Sequence, residues 1–185
     1  METKIIIAGF GGQGILFLGK VIAQTAMLEG RSVTWFPSYG AEIRGGTANC
    51  TVVISDKMVG SPVVRNPDVL IVMNEASLDR FEERLKPGGL LIMNTSLIKK
   101  SHRRKDIDVI GIPANEAADH LGDARSANMV VFGALIAKTN IISQGSAFNA
   151  LREIIPAHRQ DACRINEAAI KKGVELIDNK EGKDL

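Results

Sequence analysis

Gly9-x-Gly11-x-x-Gly14, set between a β-branched run and an apolar helix, is the feature that most limits how this chain can fold. Lys4-Ile5-Ile6-Ile7-Ala8 reads as a strand buried on both faces, because it is a near-continuous apolar run ended by glycine. The helix expected from Gln13 to Glu29 is apolar nearly all round, with Lys20 and Gln24 on a narrow polar stripe. Such a helix must lie between two layers. Gly30 supplies its C-terminal stop. Ser32-Val33-Thr34-Trp35-Phe36 reads as the next strand and completes a β–turn–α–β unit.

The rest of the chain keeps alternating. Pro37 to Gly46 is expected to be a loop, Thr47 to Ser55 a strand, and Asp56-Lys57 a hairpin turn. Asp68 to Met73 reads as another buried strand, followed by a helix from Glu75 to Leu85 that Pro87-Gly88-Gly89 breaks. Leu90 to Met93 and Val109 to Ile112 complete the strands. Helices are then expected at Ala114–Leu121, Ser126–Lys138, Ser146–Ile155 and Asp161–Ile177. The pattern predicts an α/β, Rossmann-like fold: a mostly parallel, doubly wound sheet with an appended helical C-terminal region. Residues 1–178 form one domain in this reading, and residues 179–185 are a polar, frayed tail.

Composition removes several function classes. Hydrophobic residues make up 45% of the 185 positions and the net charge is only +2, which excludes a disordered chain and a dedicated nucleic-acid binder. The longest apolar stretch, Met129 to Ala137, is far shorter than the ~20 residues that span a bilayer. The apolar N-terminus runs into a Gly-rich turn and not a cleavage site, so the expected compartment is the cytoplasm. Cys50 and Cys163 have no metal-ligand spacing, and no zinc or iron–sulfur site is expected in this chain alone.

The Gly-rich turn permits close backbone approach at a helix N-terminus, where unpaired N–H groups favour an anion. Dinucleotide binding needs in addition an acid at the end of the second strand, to hold a ribose hydroxyl. That strand ends at Phe36-Pro37-Ser38, and the nearest acid, Glu42, lies in the following loop. Three readings stay open for the glycines: a phosphate or other anion, a nicotinamide dinucleotide, or tight strand–helix packing. The segment Ser38-Tyr39-Gly40-Ala41-Glu42-Ile43-Arg44-Gly45-Gly46 holds the only Tyr, an acid and a base. In a doubly wound sheet it should share the carboxyl-edge crevice with the first turn. It is either a contact surface for a phosphate-bearing ligand or partner, or a structural loop in which Glu42 pairs with Arg44.

Taken together, Gly9-Phe10-Gly11-Gly12-Gln13-Gly14 and the stretch from Ser38 to Thr47-Ala48 resemble the gamma subunit (or domain) of 2-oxoacid:ferredoxin oxidoreductases. Asn128-Met129-Val130, Gly133-Ala134, Asn166, Ala169 and Gly173 are similar to later parts of that family, so the resemblance runs to about Ile177. Tyr39-Gly40-Ala41-Glu42 differs from the related indolepyruvate oxidoreductase beta subunit. The resemblance implies a complex that oxidatively decarboxylates a 2-oxoacid to give acyl-CoA, carbon dioxide and reduced ferredoxin; 2-oxoglutarate is preferred here over a branched-chain oxoacid or pyruvate, although nothing in the chain reads the substrate side chain. It implies thiamine diphosphate, Mg and iron–sulfur clusters held mainly by alpha and beta subunits, with a ferredoxin-like delta subunit where one exists. This chain would then serve assembly and contacts with CoA or partners, and would be inactive alone. Gly9, Gly11, Gly12, Gln13, Gly14, Ser38, Tyr39, Gly40, Glu42, Arg44, Gly45, Gly46 and Asn128 are the expected ligand-binding positions, with no catalytic residue. A stand-alone NAD(P)- or phosphate-binding module is the alternative. An orphan subunit of this kind should expose an apolar patch and can dimerise through it.

The remaining polar clusters read as structural. Lys99, Lys100, Arg103, Arg104 and Lys105 sit before Asp106 and Asp108, which suits a solvated turn better than a CoA, partner or nucleic-acid contact. His102, His120 and His158 fit no metal spacing, and Cys50 on a strand reads as a small buried hydrophobe.

Overall fold

Ile5, Ile6 and Ile7 are all buried, on both faces of β1 (Glu2–Phe10), and this strand organises the molecule. Burying each of the three stabilises the fold by about 1.5–3 kcal/mol. The computed structural model describes residues 1–39 and 47–181, without the side chains of Tyr39, Lys180 and Glu181. The further strands are β2 (Ser32–Tyr39), β3 (Thr47–Ser55), β4 (Val69–Val72), β5 (Leu90–Asn94) and β6 (Asp108–Ile112). They form one sheet in the order β2-β3-β1-β4-β5-β6. β1, β4, β5 and β6 are parallel, and β3 runs antiparallel to both β1 and β2. The sheet is therefore mostly parallel, as expected, with one reversed strand. Residues 40–46 are too few for the crossover of a dozen or more residues that parallel pairing needs, so β2 and β3 must pair antiparallel.

Two expectations are corrected here. Pro37, Ser38 and Tyr39 belong to β2 and not to a loop, because β2 is an edge strand and an edge tolerates proline. Asp56-Lys57 makes no hairpin, since β1 lies between β3 and β4 and the chain after Ser55 must pass across it.

Six helices complete the fold: α1 (Ile15–Leu28), α2 (Glu75–Phe81), α3 (Ala114–His120), α4 (Ala127–Thr139), α5 (Gln144–Ile154) and α6 (Gln160–Glu181). α6 continues through Asn179 to Glu181, past Ile177, the expected last residue of the helix. One core joins the first face of the sheet to α1, α3, α4, α5 and α6; a smaller one joins the second face to α2. α1 lies between the strands and α5, which explains its apolar surface all round. It ends in a Schellman motif: Gly30 has φ +74°, and Arg31 N–H donates to the Ala26 carbonyl. α4 and α6 cross at Gly133 and Gly173, where a Cβ on either residue would strike the other helix's backbone.

Candidate functional site

The Gly-rich turn emerges between β1 and β4, at the carboxyl edge of the parallel strands, which is where such sheets bind ligands. Gly12 has φ +95° and Gly14 φ +70°, values that L side chains rarely adopt. Gly14 starts α1 without a side-chain cap, and the first turn carries no acid, so its N–H groups keep their partial positive charge. Gln13 fastens the turn. Its Oε1 accepts from Phe10 N–H at 2.7 Å and from Asn74 Nδ2 at 3.0 Å, while its Nε2 donates to the Met73 carbonyl at 3.2 Å. Asn74 in turn caps α2 by accepting from Ser77 N–H. Asn128, buried at the start of α4, donates from Nδ2 to the Gly14 carbonyl at 3.1 Å, and a Cβ on Gly14 would collide with that amide.

Two neighbouring clefts open from this turn. The larger, about 470 Å³, is lined by Gly12, Gly14 and Phe17, by Asp123, Arg125, Ser126 and Asn128, by Arg159 of the α5–α6 connection and by Asn166 of α6. The smaller, about 160 Å³, is lined by Gly12, Gln13, Met73, Asn115 and Arg125. Arg125 borders both, and its guanidinium holds the Asp123 carboxyl below the usual carboxylate range by hydrogen bonding at 2.9 Å. A helix N-terminus, two arginines and amide groups around one cleft make a chemically suitable place for a phosphate-bearing ligand.

Gly11, Gly12, Gln13, Gly14 and Asn128 are thus brought together around the turn. Gly9 belongs to β1, not to the turn, and its missing Cβ leaves room for Ile15 and Gln13. Ser38 of β2 pairs with Asn49 of β3, on the side of the sheet away from α1, so it does not face the cleft. Tyr39 ends β2, two strands from β1, with its side chain outside the described residues. Gly40, Glu42, Arg44, Gly45 and Gly46 also lie outside the described residues. Sequence reasoning missed Arg125, Arg159 and Asn115 as cleft residues, and Asn74 as the bridge; only Asn74 had a signal, being followed by Glu75 at a helix start.

The strand order weighs against dinucleotide binding. In dinucleotide-binding sheets the second strand lies beside the first. Here β3 intervenes, which moves the end of β2 to two strand spacings, about 10 Å, from β1.

The other polar clusters are absorbed by structure. Asp79 pairs with Lys100 and Arg103, and buried Glu82 accepts from the backbone N–H groups of Arg103 and Arg104. Arg104 pairs with Asp106 and caps the Leu85 carbonyl, so the basic run is pinned against α2 and the turn after it. His120 hydrogen-bonds the Glu116 carbonyl oxygen at 2.7 Å, and among the described residues no three His, Cys, Asp or Glu converge as metal ligands. Cys50 is fully buried, and burial pushes its thiol up to about 12. No helix among the described residues is long and apolar enough to cross a membrane.

The family model for pyruvate ferredoxin/flavodoxin oxidoreductases matches residues 4–176. Over 136 residues the chain is 45% identical to ketoisovalerate oxidoreductase subunit VorA of Methanothermobacter marburgensis, covering 74% of this chain and 28% of that protein. It is 34% identical to 2-oxoglutarate synthase subunit KorC of the same organism, covering 96% of this chain and 97% of that one. The keto/oxoacid ferredoxin oxidoreductase gamma subunit of Geobacter sulfurreducens superposes with a TM-score of 0.80 at 28% identity, covering 94% of this chain and 96% of that chain. A 2-oxoglutarate:ferredoxin oxidoreductase from Magnetococcus marinus, solved with 2-oxoglutarate, coenzyme A and succinyl-CoA bound, gives 0.88 at 26% identity, covering 96% of this chain and 31% of that chain. The chain therefore spans under a third of the length of VorA and of the Magnetococcus protein.

Proposed function

The chain belongs to the pyruvate ferredoxin/flavodoxin oxidoreductase family, and from that premise we propose that it is the gamma subunit of a 2-oxoacid:ferredoxin oxidoreductase. The observation that carries this reading is the match with KorC along nearly the whole of both chains, which makes this unit comparable to a separate subunit. The reaction joins the acyl group of a 2-oxoacid to CoA, releases carbon dioxide and passes two electrons to ferredoxin. 2-Oxoglutarate is our substrate preference; the KorC and Magnetococcus likenesses support it, while the VorA likeness favours a branched-chain oxoacid.

We assign thiamine diphosphate, Mg and the iron–sulfur clusters to alpha and beta subunits, with a delta subunit where one exists, a reading that the family match supports. This chain contributes assembly and the side facing CoA. In this reading the N–H groups at the start of α1, with Arg125 and Arg159, hold the phosphates of CoA in the 470 Å³ cleft. Tyr39, Glu42, Arg44 and Gly45 are assigned to the same ligand or to the partner beside it.

Anaerobic affinity purification of the tagged chain from its native cells tests the reading. Recovery of a thiamine-binding subunit with CoA-dependent dye reduction is expected, fastest with 2-oxoglutarate. Elution of the chain alone, with the tag accessible and no activity, contradicts it.

A further inference from the structure

The parallel strands of such a sheet are covered on both faces, whereas the antiparallel pairs β1–β3 and β2–β3 need not be. On the first face α1 lies over β2 and β3; on the second, α2 lies over β1 and β4 and reaches β3 through Arg80, which donates to Thr47 Oγ1 at 3.0 Å. The remaining corner of the second face carries aromatic side chains. Phe36 opposes Thr51 on β3 and is 50% exposed; Phe10 opposes Thr47 and is 39% exposed. Those two β3 positions are four residues apart, about 14 Å at ordinary strand rise, and β1 and β2 flank β3 at about 10 Å from one another. The irregular segment after β3 extends the patch: Thr51 Oγ1 bonds the Pro62 carbonyl, and Val63 is exposed.

Among the described residues, the charges at this corner that lack an ion-pair partner are arginines. Arg65, Arg80 and Arg84 border it, and none has a carboxylate within ion-pair distance among the described residues. Arg80 and Arg84 both sit over the Phe81 ring at 5.3 Å, and Arg84 spends its guanidinium on the carbonyls of Val64 and Arg65. Burial and the nearby Arg80 charge push the Arg84 pKa down, the direction expected of a cation lacking an anion. The strand residues between the two phenylalanines are Thr, Ser and Asn, with no acid among them.

We propose that this corner, centred on Phe10 and Phe36 and bordered by Arg65, Arg80 and Arg84, is a protein-docking face whose occupant is a different subunit presenting apolar residues ringed by carboxylates. Aromatic side chains and arginines are the residues that anchor such interfaces. A second copy is a poor occupant, because two-fold pairing would set arginine against arginine, with no acid between them among the described residues. The proposal rests on the subunit reading above, and adds to it which face is covered and by what chemistry.

The test coexpresses the chain with the remaining subunits of the complex and measures their affinity for it at two salt concentrations. Phe36→Asp and Arg80→Glu change the proposed face, Phe36→Leu keeps it apolar, and Met27→Asp alters an exposed apolar residue at the end of α1. Circular dichroism and melting establish that each variant folds; Arg80 is exposed, so Arg80→Glu decides the matter if Phe36→Asp does not fold. Affinity should fall at least tenfold in Phe36→Asp and Arg80→Glu, weaken in salt for the parent chain, and hold in Phe36→Leu and Met27→Asp. Folded Phe36→Asp and Arg80→Glu proteins that assemble like the parent overturn the proposal. So does a homodimer, or binding of single-stranded RNA, that either substitution abolishes. Failure of the unaltered chain to assemble overturns the subunit reading, and this proposal with it.

Discussion

Gln13 Oε1 and Asn74 Nδ2 lie 3.0 Å apart, and this contact joins the Gly-rich turn after β1 to the cap of α2 after β4. The same oxygen accepts from Phe10 N–H, so one side-chain amide ties the turn both to the end of β1 and to the cap of α2. Gln13→Leu leaves the Phe10 N–H, the Met73 carbonyl and Asn74 short of partners. Each buried polar group left unpaired costs about 1–3 kcal/mol, reduced where water can enter. Urea unfolding should show a loss of about 1–3 kcal/mol; an unchanged midpoint would show that the amide does not fasten the turn.

Gly12 and Gly14 separate backbone strain from packing. Both have positive φ, so alanine at either position costs about 1–2 kcal/mol for the left-handed conformation. Nothing lies near a Cβ on Gly12, whereas one on Gly14 must displace the Asn128 amide. Gly14→Ala is therefore the more destabilising of the two in the same denaturation experiment. Equal losses would mean that Asn128 moves aside freely.

Part of the acid sensitivity should trace to the carboxylates that pin the basic run. Lys100 holds the Asp79 carboxyl below its ordinary range by a hydrogen bond, with Lys100 and Arg103 charges adding to it, and Arg104 does the same for Asp106. Depressed carboxylates contribute their stability above the unfolded value of about 4 and lose it as pH falls through the lower folded value. The melting temperature should thus drop below about pH 4, less steeply in Asp79→Asn and less steeply in high salt. An Asp79→Asn protein with the parent's full acid limb would exclude this cause.

The two cysteines should differ in reactivity. Cys50 is fully buried with its thiol pushed up to about 12, and Cys163 is part-exposed, its thiol raised by burial and by the Glu167 charge. A disulfide reagent at pH 8 should titrate one thiol slowly in the folded protein and two after unfolding. Rapid labelling of both would contradict the burial of Cys50 beneath α1.

The buried strands were legible because burial on both faces demands an unbroken apolar run, and Thr47–Ser55 appears with its expected limits. Pro37 hid the end of β2, since proline reads as loop unless the strand is known to lie at an edge. The short connection from Tyr39 to Thr47 implies antiparallel pairing, yet nothing local says that β3 enters beside β1 and displaces β2 from it. The glycines and Asn128 of the candidate site could be read from motifs. Arg125 and Arg159 could not, because they reach the cleft from the segments before α4 and α6, more than 100 positions along the chain, with no pattern of their own.

The central claim is that this chain is a necessary but non-catalytic part of a 2-oxoacid:ferredoxin oxidoreductase. Its most direct test is CoA-dependent reduction of ferredoxin by the purified remaining subunits, with 2-oxoglutarate as substrate, measured before and after this chain is added back. The account predicts little reduction without the chain, recovery on adding it in equimolar amount, and none from the chain alone. Full CoA-dependent turnover in its absence would contradict the account.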